Sequence, residues 1–148
     1  MSLRVLSCLA VPAILLGNAG QGAVGADERA APRFAECGSG KRLTCVVDGD
    51  TFWLEGTKIR VADINTPETG HAACSYERRL GEAATRRFTA LLNAGPFVLE
   101  RSGARDADRY GRKLRIVTRD GRSLGMQLVD EGLAEPWQGR RGDWCAAT

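Results

Sequence analysis

Apolar and polar positions alternate in three short stretches of the first half of the chain. The segments "RLTCVV" (42–47), "TFWL" (51–54) and Lys58–Ile64 are rich in β-branched and aromatic residues. The turn signals "DGD" and "EGT" separate them. Short runs of this composition between turn residues are typical of β-strands. The fold is therefore predicted to begin with three strands.

The spacing becomes helical from Tyr76 to Asn93, where apolar residues recur every three or four positions and "NAGP" ends the run. Two further strand-like segments follow, "PFVLER" (96–101) and "RKLRIVTR" (112–119), with the turn "RDGR" after the second. Ser123 can then cap a short helix that reaches Glu131 and ends at Gly132. The predicted order is β-β-β-α-β-β-α. The helical stripe consists of Leu80, Ala83, Ala84, Phe88, Leu91 and Leu92.

Five strands with a helix after the third match an OB-like Greek-key barrel, a mainly β, α+β fold that also carries a short C-terminal helix here. Such barrels commonly bind nucleic acids or sugars. The pattern by itself supports only a small α+β or β-barrel domain. The length of 148 residues and the ordinary globular composition allow one domain with a modest core.

The first 26 residues have the features of a cleaved signal peptide. Arg4 precedes an apolar run from Val5 to Leu16, and the small residues Val24 and Ala26 suit a cleavage site. The run is too short to span a bilayer. Lipidation at Cys8 is the less favoured alternative, because Cys8 precedes most of the apolar run. We therefore predict a signal peptide (1–26), a loose segment (27–40) and a domain (41–148), with a secreted or periplasmic location.

The cysteines agree with export. Four remain after the predicted leader, an even number in a small domain, and three pairings are possible. We favour Cys37 with Cys45, across the flexible "GSGK", and Cys74 with Cys145, which ties the end of the chain to the body. A metal site at these cysteines is disfavoured, because the sequence has no C-x-x-C pair and only one histidine.

The net charge gives only a weak signal of a polyanionic partner. Removing the leader leaves 20 basic against 18 acidic residues, so nucleic acid would have to be held by a local basic patch. Most of the basic residues are arginines, whose planar forks suit phosphate oxygens. A GC-rich genome that favours arginine codons explains that excess equally well.

Four motifs occur in one order: "VVDGDTFWL", "IRVADINTPET", "DRYGRKL" and "LVDEGLAEPW". Together they resemble the thermonuclease (staphylococcal nuclease-like) family over roughly residues 42 to 138. The resemblance implies an OB-like barrel and a calcium-dependent nuclease. It also implies DNA and RNA as substrates, little sequence selectivity, products with 3′-phosphate ends and a preference for unpaired strands. We further expect no stable protein partner, no membrane anchor after leader cleavage, and a monomer.

The resemblance also implies roles for individual residues. Asp50, the side chain of Asn65 and the backbone carbonyl of Thr66 match the family's Ca²⁺ site, with Asp48 a less favoured ligand. Glu68 matches the carboxylate that activates the attacking water. The catalytic arginines are implied at Arg60 and Arg112, and a phosphate-binding hydroxyl at Tyr110. Each motif also has a plainer interpretation, a hairpin turn for "DGD" and solvated side chains for the others.

Phosphodiester hydrolysis explains why these residue types suit the proposed chemistry. The reaction needs a positioned water, a base, and positive charge around oxygens that gain negative charge in the transition state. A guanidinium offers two parallel donors to such oxygens and keeps its charge. The sequence supplies the carboxylate base and both arginines.

Asn65 departs from the family pattern, which usually has aspartate at this position. An amide oxygen can ligate Ca²⁺ but brings no charge, so we expect weak calcium binding and a lower calcium requirement for Asn65→Asp. Asp63 could supply the missing charge if the strand end twists inward. We favour the alternative that Asp63 is a surface carboxylate paired with an arginine.

Two hypotheses compete with the enzyme. One is a catalytically weak or inactive OB-fold module that binds nucleic acid, although such relatives normally lack the arginines or the glutamate. The other is an extracellular structural or inhibitory domain with no metal dependence. We assign no role to His71, expect packing for Trp144, and leave Trp137 open as a rim residue that could stack bases.

Overall fold

A computed structural model describes residues 32–146, so the predicted leader lies outside the described residues. The strands are β1 (Cys45–Asp48), β2 (Thr51–Leu54), β3 (Thr57–Val61), β4 (Ile64–Asn65), β5 (Val98–Arg101), β6 (Lys113–Arg119), β7 (Arg122–Ser123) and β8 (Glu135–Pro136). The helices are α1 (Ser75–Asn93) and α2 (Leu124–Asp130). Neither described helix is long and apolar enough to cross a membrane.

The main sheet has the strand order β1-β2-β3-β6-β5, with β7 paired to β6, and β4 pairs with β8 in a second, two-stranded sheet. The β3–β6 pair is parallel, whereas β1–β2, β2–β3 and β5–β6 are antiparallel. Helix α1 intervenes before β5, so β3 and β6 are joined by a long connection. This mixed α+β arrangement confirms the predicted OB-like fold.

The third predicted strand, Lys58–Ile64, is wrong in one respect. Strand β3 ends at Val61, the chain turns at Ala62 and Asp63, and Ile64–Asn65 pairs with Glu135–Pro136 instead. Hydrogen bonds hold the turn, because the Trp137 amide donates to the Asp63 carbonyl at 2.8 Å and Ser123 Oγ donates to the Asp63 carboxylate at 2.6 Å. The break directs the residues after Asn65 away from the main sheet.

An aromatic cluster fills the core between the sheet and α1. Phe52 meets Phe34 and Phe88 edge-on, with ring centroids 5.9 and 5.6 Å apart, and Phe97 packs beside them. Phe52 and Phe88 have no exposed surface. Burying one such ring contributes about 1.5–3 kcal/mol to folding, so this cluster fixes α1 against the sheet.

Residues 34–37 pack against the domain, although we placed them in a loose segment. The Phe34 amide and carbonyl exchange hydrogen bonds of 2.8 and 2.9 Å with the Asn93 side chain at the end of α1. The Cys37 amide donates to the Val46 carbonyl at 2.8 Å. The segment is ordered because Phe34 supplies core volume that the strands leave unfilled.

Both predicted disulfides are confirmed. Cys37 joins Cys45 with Cα atoms 5.0 Å apart, and Cys74 joins Cys145 with Cα atoms 6.1 Å apart. Cys74 also caps α1, because its sulfur accepts a hydrogen bond from the Glu77 amide. The second disulfide therefore fixes the C-terminal segment at the N-terminus of α1.

Candidate active site

The "DGD" turn between β1 and β2 places Asp50 at the centre of a hydrogen-bonded cluster. The Asp50 carboxylate is buried and accepts from the Thr66 amide, the Thr51 hydroxyl and Arg60 Nη2, each at 3.0 Å. Gly49 makes the turn possible, because a Cβ there would lie 2.8 Å from the Cβ of Ala84 and from Thr66 Cγ2. Asp50, Arg60 and Thr66, which lie apart in the sequence, are thus brought into direct contact.

Asp48 lies beside Asp50, and its Oδ1 accepts the Asp50 amide hydrogen at 3.3 Å. Burial and then the negative charge of Asp50 raise the pKa of Asp48 to about 7. Two neighbouring carboxylates in a buried turn create a negative electrostatic potential around Asp48 and Asp50. Such a place suits a cation.

Arg60 is locked by the backbone as well as by Asp50. Its Nη1 donates to the carbonyls of Val61 and of Ile64, the latter at 2.9 Å, and the guanidinium lies 5.6 Å from the centre of the Trp137 ring. Only 12% of its side chain is exposed. The position of this positive charge is therefore set before any ligand arrives.

The loop from Thr66 to Ala73 is held by a buried carboxylate that sequence reasoning missed. Glu77, in the first turn of α1, accepts hydrogen bonds from the amides of Glu68 at 3.3 Å and Ala73 at 2.6 Å. A Cβ on Gly81 would lie 2.7 Å from the Pro67 carbonyl oxygen, so only glycine lets α1 approach this closely. In the sequence, Glu77 resembles an ordinary acidic residue at a helix start.

Glu68 projects from this loop and is partly exposed. Its Oε1 pairs with Nη1 of Arg141 at 2.7 Å, with 27% of the Glu68 side chain and 67% of the Arg141 side chain exposed. No sequence pattern indicated Arg141, because the contact depends on the path of the chain after β8. The carboxylate that matches the family's base thus already has a cationic partner.

Asn65 is buried in β4 opposite Glu135 in β8. Its Nδ2 donates to Glu135 Oε1 at 3.0 Å, so the amide oxygen points away from Glu135. Glu135 was also missed, since an isolated glutamate in "GLAEPW" carries no local signal. It fixes which face of the amide remains available to a ligand.

Asp63 bonds to Ser123 and pairs with no arginine in the described part of the chain. One carboxylate oxygen accepts from Ser123 Oγ at 2.6 Å, and Ser123 in turn caps α2 by accepting from the Met126 amide at 3.1 Å. Within residues 32–146 Asp63 forms no ion pair. Our preferred interpretation of a surface carboxylate paired with an arginine is therefore wrong, because the chain turns at this residue and directs it towards α2.

Asp108 organises the loop that presents Tyr110 and Arg112. Its carboxylate accepts from the Tyr110 amide at 2.9 Å, the Arg112 amide at 3.0 Å and Arg112 Nε at 2.6 Å. Although burial opposes the shift, these hydrogen bonds lower the pKa of Asp108. Gly111 sits at φ +76°, a conformation that favours glycine. The bonds at Nε leave the terminal nitrogens of Arg112 without a protein partner in the described part of the chain.

Tyr110 is 67% exposed and lies close to two guanidinium groups. The carbon atoms of those groups are 4.8 Å (Arg109) and 5.5 Å (Arg112) from the ring centre, and Arg109 Nη2 donates to the tyrosine hydroxyl at 2.6 Å. An aromatic ring with an exposed face beside free guanidinium donors can contact both a base and a phosphate.

Strand pairing brings Arg60 and the start of β6 together. Arg60 pairs with Leu114 in the parallel β3–β6 ladder, and Arg112 precedes Leu114 by two positions. Arg112 itself lies just before β6, in the loop that Asp108 organises. No hydrogen bond or ion pair among the described residues links Arg112 or Tyr110 to Asp50, Arg60 or Glu68.

The donors around Asp50 fit a hard cation better than a transition metal. The described residues contain no group of three or more His, Cys, Asp or Glu side chains arranged to hold a metal. The Asp50 carboxylate, the Asn65 amide oxygen and the Thr66 carbonyl are all oxygen donors, the type that Ca²⁺ prefers. These three proposed ligands thus fit Ca²⁺, and only the Asp50 carboxylate among them carries a charge.

The arginines and carboxylates at and beside β3 and β6 are residue types that suit phosphate chemistry. The profile of the family described as "Staphylococcal nuclease homologue" matches residues 58–143, more than half of the chain. The protein therefore belongs to this family.

Curated relatives agree with this assignment. The chain is 38% identical over 96 residues to endonuclease YncB of Bacillus subtilis (strain 168), which covers 62% of this chain and 45% of YncB. It has the same identity over 96 residues to the SPbeta prophage-derived endonuclease YokF of that organism, covering 32% of YokF. An uncharacterized endonuclease of Haemophilus influenzae is 26% identical over 102 residues, or 69% of this chain and 49% of its own length. The chain thus matches less than half the length of each relative.

Proposed function

We propose that this protein is a secreted or periplasmic, calcium-dependent nuclease that hydrolyses phosphodiester bonds of DNA and RNA with little sequence selectivity. The observation that carries the proposal is the Asp50–Arg60–Thr66 cluster, with Glu68 on the adjoining loop and Arg112 just before the strand that pairs with β3. The family and the relatives named as endonucleases support the same activity.

The two arginines have complementary roles in this mechanism. Arg60 is held by backbone carbonyls and Asp50, whereas the terminal nitrogens of Arg112 make no polar contact within residues 32–146 and can bind a ligand. Both can donate to the non-bridging oxygens of the scissile phosphate, which gain charge in the transition state. The exposed Tyr110 hydroxyl can donate to a phosphate oxygen beside them.

Glu68 is the candidate base. It accepts a proton from the attacking water as the new P–O bond forms, while the bond from phosphorus to the 5′ oxygen breaks and that oxygen takes a proton from solvent water to leave as a 5′-hydroxyl. That cleavage leaves a 3′-phosphate. The Glu77 hydrogen bonds to the Glu68 and Ala73 amides fix the loop that carries the carboxylate.

Asp50, Asn65 and the Thr66 carbonyl would hold the calcium ion. When bound, the ion supplies positive charge to the phosphate and orients the attacking water. Asp50 and Thr66 are already in contact through the Thr66 amide, and Asn65 directly precedes Thr66 in the chain.

Exposed aromatic residues favour unpaired strands as substrates. Tyr110 is 67% exposed and Trp137 is 43% exposed, and both lie against arginine guanidinium groups. Stacking of bases on such rings tolerates any sequence and requires bases that are not paired. Both disulfides and the predicted leader support an exported protein, which we propose acts as a monomer without a membrane anchor or stable protein partner.

A second candidate is a nucleic-acid-binding module with little or no hydrolysis. Two observations favour it, the uncharged Asn65 at the metal site and the Arg141 partner on Glu68. Both candidates predict binding of single strands, but only the enzyme predicts new chain ends.

The deciding experiment incubates purified protein with end-labelled single-stranded DNA and RNA, with calcium or with a chelator. The nuclease predicts calcium-dependent fragments of both polymers that end in 3′-phosphate. Intact substrate at high protein concentration, together with binding of the strand, would establish the module instead.

A further inference from the structure

The C-terminal segment 135–145, here the C-terminal strap, runs along the loop that carries the catalytic candidates. Its start pairs with Ile64–Asn65, its end is bonded to Cys74, and between these points Arg141 contacts Glu68. The proposed mechanism assigns no catalytic role to any residue of the strap.

The contacts along the strap are close. A Cβ on Gly142 would lie 2.4 Å from both carboxylate oxygens of Glu135. The backbone at Gly142 therefore packs directly against the carboxylate that accepts the Asn65 hydrogen bond. Earlier in the strap, the Trp137 ring packs on Arg60 and its amide is bonded to Asp63. The backbone that carries Arg141 is therefore fixed before it, by the contacts of Glu135 and Trp137, and after it, by the disulfide at Cys145.

Among the described residues, Arg141 makes a polar contact through one nitrogen only. Its Nη1 pairs with Glu68 Oε1 at 2.7 Å, while 67% of the side chain is open to solvent. An ion pair this exposed contributes little to stability, so another anion can displace the carboxylate. Guanidinium groups bind phosphate through paired donors, and the phosphate that Glu68 would act on has to lie close to Arg141.

We propose that Arg141 is a substrate-binding residue that exchanges its contact with Glu68 for a phosphate of the bound nucleic-acid strand. This inference rests on the proposed function. In the free protein Arg141 covers Glu68, and on binding the phosphate takes the guanidinium and releases the carboxylate. The ligand class is the phosphodiester backbone, independent of base sequence.

The Cys74–Cys145 disulfide makes this exchange possible. Cys74 lies six positions after Glu68 and Cys145 lies four positions after Arg141, so the bond closes a short covalent path between the two side chains. A short tether keeps the local concentration of the guanidinium high even after its ion pair breaks. This disulfide therefore has a binding role in addition to its effect on stability.

The test measures binding of a fluorescent single-stranded oligonucleotide in chelator, where cleavage is prevented, over a series of salt concentrations. Arg141→Gln should weaken binding about five- to tenfold at low salt. It should also reduce the slope of log K against log salt by about 0.7, the value for one lost phosphate contact on a single strand. In calcium the same variant should raise KM more than it lowers kcat.

Arg140→Gln is the matched control, because Arg140 is the exposed neighbour and makes no polar contact with any described residue. Its slope should equal that of the wild type. Equal losses for Arg140→Gln and Arg141→Gln would overturn the proposal, since they would indicate only a general effect of charge. A wild-type slope for Arg141→Gln would overturn it as well.

The tether is tested with Arg141 intact. Cys74→Ser with Cys145→Ser should reproduce the lost slope, whereas Cys37→Ser with Cys45→Ser should not, when both are measured below their melting temperatures. Retention of the wild-type slope without the Cys74–Cys145 bond contradicts the tether. A wild-type chain that neither binds the probe nor cleaves it in calcium overturns the proposed function itself, whereas cleavage with an unchanged Arg141→Gln overturns only this inference.

Discussion

Asn65 and Glu135 are direct partners in the β4–β8 ladder, and the amide of Asn65 donates to the carboxylate of Glu135 at 3.0 Å. The pair explains why an amide is suitable where the family usually has aspartate. An aspartate at position 65 would face Glu135 as a like charge, buried and without a donor between them. Glu135 thus adds a negative charge near the proposed calcium site, outside the set of proposed ligands.

This pair changes the expected effect of Asn65→Asp. From the sequence we expected a lower calcium requirement, whereas the structure predicts that the variant is less stable than the wild type in chelator. Losing a hydrogen bond to a charged group costs about 1.5–3 kcal/mol. Thermal unfolding in chelator should show a lower melting temperature, and added calcium should raise it more than it raises that of the wild type.

The control removes the opposing charge. Asn65→Asp with Glu135→Gln should recover most of the lost stability, because the glutamine amide can donate to the new carboxylate. If Asn65→Asp alone melts in chelator at the wild-type temperature, the Asn65–Glu135 contact has no energetic role.

Arg112→Ala and Arg60→Ala should differ in stability but agree in activity. Each loses a charge that stabilises the transition state, so kcat should fall about 10²–10³-fold. Arg60→Ala should also lower stability by about 3 kcal/mol, because Asp50 is left buried without its partner. Arg112→Ala should cost only about 1 kcal/mol.

Arg105→Ala in the same loop is the control, since Arg105 is exposed and has no polar partner among the described residues. Chemical unfolding and kcat should both match the wild type for this variant. Normal turnover by Arg112→Ala would remove Arg112 from the catalytic group.

The two disulfides should contribute unequally to stability. Cys74–Cys145 closes a loop of 71 residues and Cys37–Cys45 a loop of eight. From chain entropy the longer loop contributes about 4 kcal/mol and the shorter about 2.5 kcal/mol. Serine pairs replacing each bond should show this order in denaturant unfolding, and the reverse order would contradict it.

Asp106 should make the protein sensitive to acid below about pH 4. Hydrogen bonds from Lys113 and then Arg115 lower the pKa of Asp106 to about 2. Because the folded pKa lies below the unfolded value of about 3.9, this stabilisation is present above pH 4 and is lost as the pH falls towards 2. The difference in melting temperature between the wild type and Asp106→Asn should therefore shrink from pH 5 to pH 2.

Asp120→Asn is the control for this pH series, because Asp120 is exposed and makes no polar contact within the described residues. Its difference from the wild type should stay small throughout. A constant difference for Asp106→Asn across the same range would show that the contacts of Asp106 do not depend on its charge.

The residues that sequence reasoning found are those that the motifs carry. Asp50, Arg60 and Thr66 could be grouped because "DGD" and "IRVADINTPET" flank turns in fixed order, and the structure joins them through one carboxylate. The predicted bounds of the first helix agree with those of α1 to within one residue, because its apolar residues recur regularly every three or four positions. Its buried face also contains Glu77 and Gly81, which an apolar stripe cannot indicate.

The partners that were missed come from remote parts of the chain. Glu135 contacts Asn65 across 70 positions, and Arg141 reaches Glu68 only because the strap is fixed by β8 and by the disulfide. No local pattern marks either residue. Asp63 was predicted to lie within a strand that continued to Ile64, whereas it lies in the turn after β3. That turn depends on hydrogen bonds to Ser123 and Trp137, which are remote in the sequence.

The most direct test of the proposed nuclease is the single-turnover cleavage rate of Glu68→Gln in calcium. The variant keeps the shape of the side chain and removes the base, so we expect cleavage at least about 10² slower than the wild type, with an unchanged fold. Glu82→Gln, on the exposed side of α1, should cleave at the wild-type rate. Cleavage by Glu68→Gln at the wild-type rate would contradict the assignment of the active site.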